Sequence, residues 1–189
     1  MLQVIKSSEF VSMPWKNGQG MTDQIDLLPG RDLPYLWRLS SARVEAASPF
    51  SLFPGYDRLL AVFQGEGLLL NDRPLLRHMP VAFAGEEEIQ CKLLAGPVRD
   101  LGLIYHRESF MATMVHEHIP AGSEQTVQTV GQTTFFFVSH GTMTTENLTV
   151  STGDALKVQD SISLQIKNDG PEPLDFLQIS ITPRQNTAD

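Results

Sequence analysis

Cysteine is almost missing from this chain, which has one thiol, Cys91, in 189 residues. No disulfide can form within it, and no zinc knuckle of the cysteine type. Cys91 sits in the strand-like run Ile89-Gln90-Cys91-Lys92-Leu93-Leu94, where it reads as a small core residue. Positive charge is also short: 14 basic residues face 22 acidic ones, a formal net charge of -8. That sign argues against nucleic acid as a partner, because phosphate binding needs a basic face. No segment approaches the ~18 apolar residues of a membrane span. The start, Met1-Leu2-Gln3-Val4-Ile5-Lys6, lacks the basic segment and long apolar run of a signal peptide. A cytoplasmic protein without a membrane partner is expected. Long helical periodicity is missing too, as are a Gly-x-Ser-x-Gly nucleophile elbow and a phosphate-cradling Gly-x-Gly-x-x-Gly.

What the chain has is alternation. Hydrophobic residues make up 41% and charged residues 19%, a globular balance. The dominant period is two. Leu36 to Val44 reads as a strand with Arg38, Ser40, Ala42 and Val44 on one side. Leu59 to Gln64 is nearly all apolar and is expected to be buried on both faces. Gly65-Glu66-Gly67 and Asn71-Asp72 are turn signals around Leu68-Leu69-Leu70. Further extended runs reach Leu174 to Ile181, with Pro-Gly pairs between them. Many short strands with regular turns point to an all-β antiparallel sandwich or barrel. Two halves of similar strand density suggest a duplicated barrel, residues 1–107 and 108–189, packed as one compact unit and sharing strands if need be.

Three groups of residues can carry chemistry. Met13-Pro14-Trp15-Lys16-Asn17-Gly18-Gln19-Gly20 packs an aromatic, a cation, an amide and two glycines into eight residues. Such a turn is either a surface feature or one wall of a small-solute site. Arg38 and Ser40 on one strand face, with Arg58 at the head of the apolar strand, would suit a small acid, since a guanidinium fits a carboxylate bidentately. Trp15 and Trp37 would serve as walls. The plainer alternative makes Arg38 and Arg58 surface or structural ion-pair residues, with Asp57 a local partner. The third group is His116-Glu117-His118, whose imidazoles share a strand face and can reach one ion. Glu124 follows, but five residues separate it from His118, and a one-residue slip along a strand turns a side chain to the other face.

Residues 13 to 107 also carry a set of motifs in order. Pro14-Trp15-Lys16-Asn17-Gly18-Gln19-Gly20-Met21-Thr22, Trp37-Arg38-Leu39-Ser40 with Ala42 and Val44, Pro49-Phe50-Ser51 with Phe53-Pro54-Gly55 and Asp57-Arg58, Phe83 with Gly85-Glu86, and Gly96-Pro97-Val98-Arg99-Asp100 resemble the HutD/Ves family. The resemblance implies a bicupin, two cupin-type β-barrels (jelly-roll, RmlC-like) in one bacterial cytoplasmic chain. It implies a link to histidine utilisation, with the protein sensing or buffering a carboxylate such as urocanate or formylglutamate. No catalytic residue and no cofactor are expected. Trp15, Lys16, Asn17, Trp37, Arg38, Ser40 and Arg58 are the expected ligand-binding set, and a homodimer is a reasonable expectation. Gln19 and Gly102 depart from the family pattern, Gly102 standing where the family usually has Asn. The competing readings are a cupin enzyme, metal-free or using His116, His118 and Glu124, and a protein-binding module.

Overall fold

The computed structural model describes residues 1–15 and 20–185. The regular structure of the described chain is all strand except for one short 3-10 turn, Ser7–Glu9. It divides into two compact units, one of Phe10–Glu108 and one of Met1–Glu9 with Ser109–Asp189.

The division is discontinuous because of the first strand. β1 (Leu2–Ile5) pairs antiparallel with a strand some 150 residues later, Leu2 opposite Val158 and Ile5 opposite Ala155. Residues 1–9, expected in the first barrel, therefore belong to the second unit. Two features fix them there. Leu2 and Val4 pack on that unit's apolar cluster. Asp154, which is buried, accepts hydrogen bonds from Lys6 Nζ at 2.9 Å and the Ser7 N–H at 2.8 Å.

The first unit contains β2 (Val11–Pro14), β3 (Gly20–Leu28), β4 (Trp37–Val44), β5 (Ser48–Pro49), β6 (Tyr56–Gln64), β7 (Gly67–Leu70), β8 (Arg73–Leu76), β9 (Val81–Ala84), β10 (Gln90–Leu93) and β11 (Val98–His106). They form a six-stranded sheet in the order β2-β3-β4-β11-β6-β9 and a four-stranded sheet in the order β5-β10-β7-β8. Val44, Leu60, Val62 and Val98 from the first sheet pack with Leu68, Leu70, Leu75 and Cys91 from the second. Cys91 is buried as expected, and burial pushes its thiol up to about 12. Leu59, Leu60, Ala61 and Val62 are all buried, so β6 is covered on both faces, as its apolar run requires. Asn71 and Asp72 take positive φ, 49° and 63°, in the two-residue turn between β7 and β8.

The second unit contains β12 (Phe110–Ile119), β13 (Glu124–Gln128), β14 (Thr133–His140), β15 (Thr142–Thr145), β16 (Leu148–Ser151), β17 (Ala155–Gln159), β18 (Ser163–Lys167) and β19 (Leu174–Pro183). Its sheets run β1-β17-β14-β19-β12 and β13-β18-β15-β16. Phe136, Leu156 and Phe176 from one sheet meet Met143, Val150, Leu164 and Ile166 from the other. Among the described residues the ladders between these strands are antiparallel, which suits short hairpin connections. Both units are two-sheet antiparallel β structures, the expected all-β class.

Candidate functional site

The site lies in the first unit, on the face of the six-stranded sheet that carries the even-numbered residues of β4, β6 and β11. Register builds it in rungs. Arg38, Ile104 and Arg58 stand opposite one another across β4, β11 and β6. Ser40, Gly102 and Leu60 make the next rung, and Ala42, Asp100 and Val62 the one after. Side chains two apart on a strand share a face, so the rungs line one surface. A cavity of about 640 Å³ opens over it, lined also by Trp15, Thr22, Phe50 and Phe53. This is the volume of a small-molecule site.

Two guanidiniums dominate its electrostatics. Arg38 Cζ lies 5.1 Å from the Tyr35 ring centroid and 6.0 Å from that of Phe53. Arg58 Cζ lies 4.8, 5.4 and 5.0 Å from the ring centroids of Phe50, Phe53 and Phe83. The Phe53 ring thus serves both. Aromatic faces attract a cation but accept no conventional hydrogen bond. Among the described residues, the buried Arg38 Nε has no hydrogen-bond partner, and Arg58 makes one long contact, from NH1 to the Ser51 carbonyl at 3.4 Å. Burial, then the neighbouring Arg38 charge, pull the Arg58 guanidinium down to about 10, with Asp100 opposing, so it stays charged at neutral pH.

Asp57 does not serve as partner to Arg58. Neighbours on a strand point to opposite faces, and Asp57 turns to Arg107 Nε at 3.1 Å. Arg107 also pairs with Glu86 and donates to the Tyr56 carbonyl at 2.6 Å. The local ion-pair reading of Arg58 is corrected on that ground.

Of the other expected residues, Trp15 lines the cavity. Its ring is held by Nε1 donating to Thr22 Oγ1 at 2.8 Å and its backbone N–H by the Gly20 carbonyl at 2.9 Å. Gly20 is needed beside it, because a Cβ there would stand 2.8 Å from the indole. Ser40 lines the cavity as expected. Trp37 does not: it alternates with Arg38 onto the opposite face of β4 and is 3% exposed in the core. Lys16 and Asn17 lie outside the described residues. The residue sequence reasoning missed is Asp100. It sits inside a quoted motif but reads as an ordinary surface acid, and only its pairing opposite Ala42 turns it inward.

The metal set of the competing enzyme reading, His116, His118 and Glu124, separates in the second unit. His116 Nε2 and His118 Nδ1 both approach Asp175 Oδ1, at 3.1 and 2.9 Å. Glu124 stands on β13, in the other sheet, 3.8 Å from Lys167 Nζ. Its spacing carries it past the turn at Pro120 and off the histidine strand altogether.

Two two-sheet antiparallel units in one chain define a bicupin, and the arginine-lined cavity of the first unit is its candidate site. Comparison with known proteins gives the family. The family model described as HutD matches residues 7–175, and the chain belongs to the HutD family. HutD from Pseudomonas fluorescens SBW25 superposes with a TM-score of 0.83 at 30% identity, covering 97% of this chain and 100% of that one. An uncharacterized 21.2 kDa protein in the hutC 3' region of Pseudomonas putida is 43% identical over 119 residues, 60% of this chain and 63% of that protein; the chain thus matches less than two thirds of this relative's length. YhhW from Escherichia coli, 11% identical with a TM-score of 0.67 over 95% of this chain and 97% of that one, shares the fold alone.

Proposed function

We propose that the first unit binds a small carboxylate, without catalysis, and that the protein senses or buffers a carboxylate intermediate of histidine utilisation, of the urocanate or formylglutamate type. One observation carries the reading. Arg38 and Arg58 point into one cavity and are walled by aromatic rings rather than by acceptors. Two like charges side by side, short of hydrogen bonds, are costly in a partly desolvated site. An entering carboxylate offers four lone-pair directions to the two planar forks and lowers that cost. Ser40 adds a hydroxyl, and Trp15 and Phe50 add apolar walls for the rest of the ligand. The relatives' naming for the histidine-utilisation locus supports the choice of acids to try.

The Cys91 thiol, which interacts with Arg58, stays protonated at neutral pH, and this favours binding over nucleophilic chemistry. The test is a thermal-shift titration with formate, urocanate and formylglutamate. An acid at 100 times its dissociation constant adds ~2.7 kcal/mol, a rise of several degrees for a unit of this size. Arg58→Gln and Arg38→Gln are each expected to abolish the rise while the protein remains folded by circular dichroism. A folded wild-type protein whose melting temperature responds to none of the acids refutes the reading.

A further inference from the structure

We propose that Asp100 and Gly102 form a hydrogen-bond-accepting subsite at the far end of the same cavity, so that the ligand is an acid bearing an N–H donor a few bonds from its carboxylate. This rests on the carboxylate reading of Arg38 and Arg58.

The subsite is built from three observations. Asp100 is 5% exposed yet lines the cavity, two rungs along from the arginine row. Its Oδ1 accepts the Ala42 N–H at 3.1 Å, and no other hydrogen bond to the carboxylate is found among the described residues. A buried carboxylate with acceptor capacity left over is costly unless something donates to it. Next, a β-bulge falls at this point: Arg99 pairs with Gln64 and Asp100 with Val62, leaving Phe63 extra on β6. Bulges re-aim side chains and gather beside binding sites. Last, the rung between the arginines and Asp100 is open. Gly102 contributes no side chain there, and the nearest atoms to a Cβ would be Leu60 Cδ1 at 3.6 Å, the Leu59 carbonyl at 3.8 Å and the Ser40 carbonyl at 4.0 Å, all at ordinary contact distance. Packing does not demand glycine. Its effect is free length between the cationic end of the cavity and the acidic one.

Charge points the same way. Among the described lining residues the cavity holds two guanidiniums and one carboxylate. A monoanion with a neutral donor neutralises the set, whereas a second carboxylate at the Asp100 end would face a like charge. The charged and titratable groups around Asp100 are Arg58 on β6, Arg99 beside it on β11 and Cys91 on β10, with Arg38 on β4 sharing the cavity. Burial pushes the Asp100 carboxyl up to about 7, with the Ala42 N–H, Arg58 and Arg99 pulling the other way. Around neutral pH it therefore passes from acid to carboxylate, and only the carboxylate is a pure acceptor.

The experiment uses two pairs of acids that differ by NH₂ against CH₃: succinamate against levulinate, and glutaramate against 5-oxohexanoate. Calorimetric titrations at pH 6 and pH 8 give the dissociation constants, with formate as a probe for the arginine end alone. At pH 8 at least one amide acid is expected to bind about tenfold more tightly than its ketone, the value of one donor to a charged acceptor. The preference is expected to shrink toward pH 6 as Asp100 takes up its proton. Asp100→Asn keeps an oxygen for the Ala42 N–H and turns an NH₂ to the cavity, so the preference and its pH dependence should vanish together. Gly102→Leu fills the middle rung, and is expected to exclude glutaramate while formate still binds. Equal binding of amide and ketone at pH 8, with both bound, overturns the accepting subsite and leaves the carboxylate reading standing. Binding of no acid at all overturns both.

Discussion

Replacing Asp100 with asparagine tests the electrostatics of the cavity without any ligand. In the folded chain the carboxyl titrates near 7, against an ordinary 3.8. Burial is the main cause, and it disfavours the charged form. The folded state thus holds a proton that the unfolded state has given up across that window. Stability rises with pH only where the unfolded state binds more protons, so here it falls. The loss begins above the unfolded value, runs at up to ~1.4 kcal/mol per pH unit, and is complete once pH passes the folded value. Integrated over the window it reaches on the order of 4 kcal/mol, an upper figure for a buried group. Asparagine is neutral throughout and can keep the Ala42 N–H bonded. Urea denaturation of both proteins from pH 5 to pH 8.5 reads the effect, and taking their difference cancels every other titrating group. The variant is expected to gain on wild type steadily between pH 5 and 7, then to hold a constant lead. A difference that does not change with pH refutes the assignment of a buried, proton-holding Asp100.

Two further outcomes follow from packing and from ion pairing. Gly20→Ala places a methyl 2.8 Å from the Trp15 ring; it should cost about 1–3 kcal/mol and displace the indole from Thr22, seen as a lower melting temperature and a changed tryptophan emission. Asp154→Ala strips the buried acceptor from Lys6 and the Ser7 N–H and should cost about 2–3 kcal/mol, with faster amide exchange in residues 2–5. Burial raises the Asp154 carboxyl, but the bonds from Ser7 and Lys6 outweigh it and hold it below 3.8. Its contribution is therefore present above that pH and is lost as pH falls through the lower folded value, so wild type and variant should converge in strong acid.

Much of this was legible in the residues, for reasons that are physical. Alternation at period two exposed β4, and an unbroken apolar run exposed β6, which is buried on both faces. The alternation put Arg38 and Ser40 on one face and, read strictly, it also puts Trp37 on the other, where the structure has it. β3 was not read as a strand. Its polar sequence Thr22-Asp23-Gln24 carries little apolar alternation, and the register shift between Gln24 and Asp26 breaks what there is. Asp100 was invisible for a different reason. Its inward turn depends on partners 38 and 58 residues away in sequence, at Val62 and Ala42, and on a bulge that no local pattern announces. The histidine pair was legible as a pair, but its acid is Asp175, brought opposite His118 by the β12–β19 ladder. Glu124, near in sequence, was the wrong acid because a turn intervenes.

The strand Leu2–Ile5 has a consequence for how the chain is made. Phe10–Glu108 is continuous and holds all its own sheet partners, so it can fold as soon as it leaves the ribosome. The other unit cannot. Its edge strand β1 is made some 150 residues before its partner β17, so Leu2–Ile5 must wait unpaired until β17 has been made. An extended, half-apolar segment in that position is a sticky one. The Lys6–Asp154 clasp joins residues 148 apart in sequence, so it cannot form until the strands through β16 have been made.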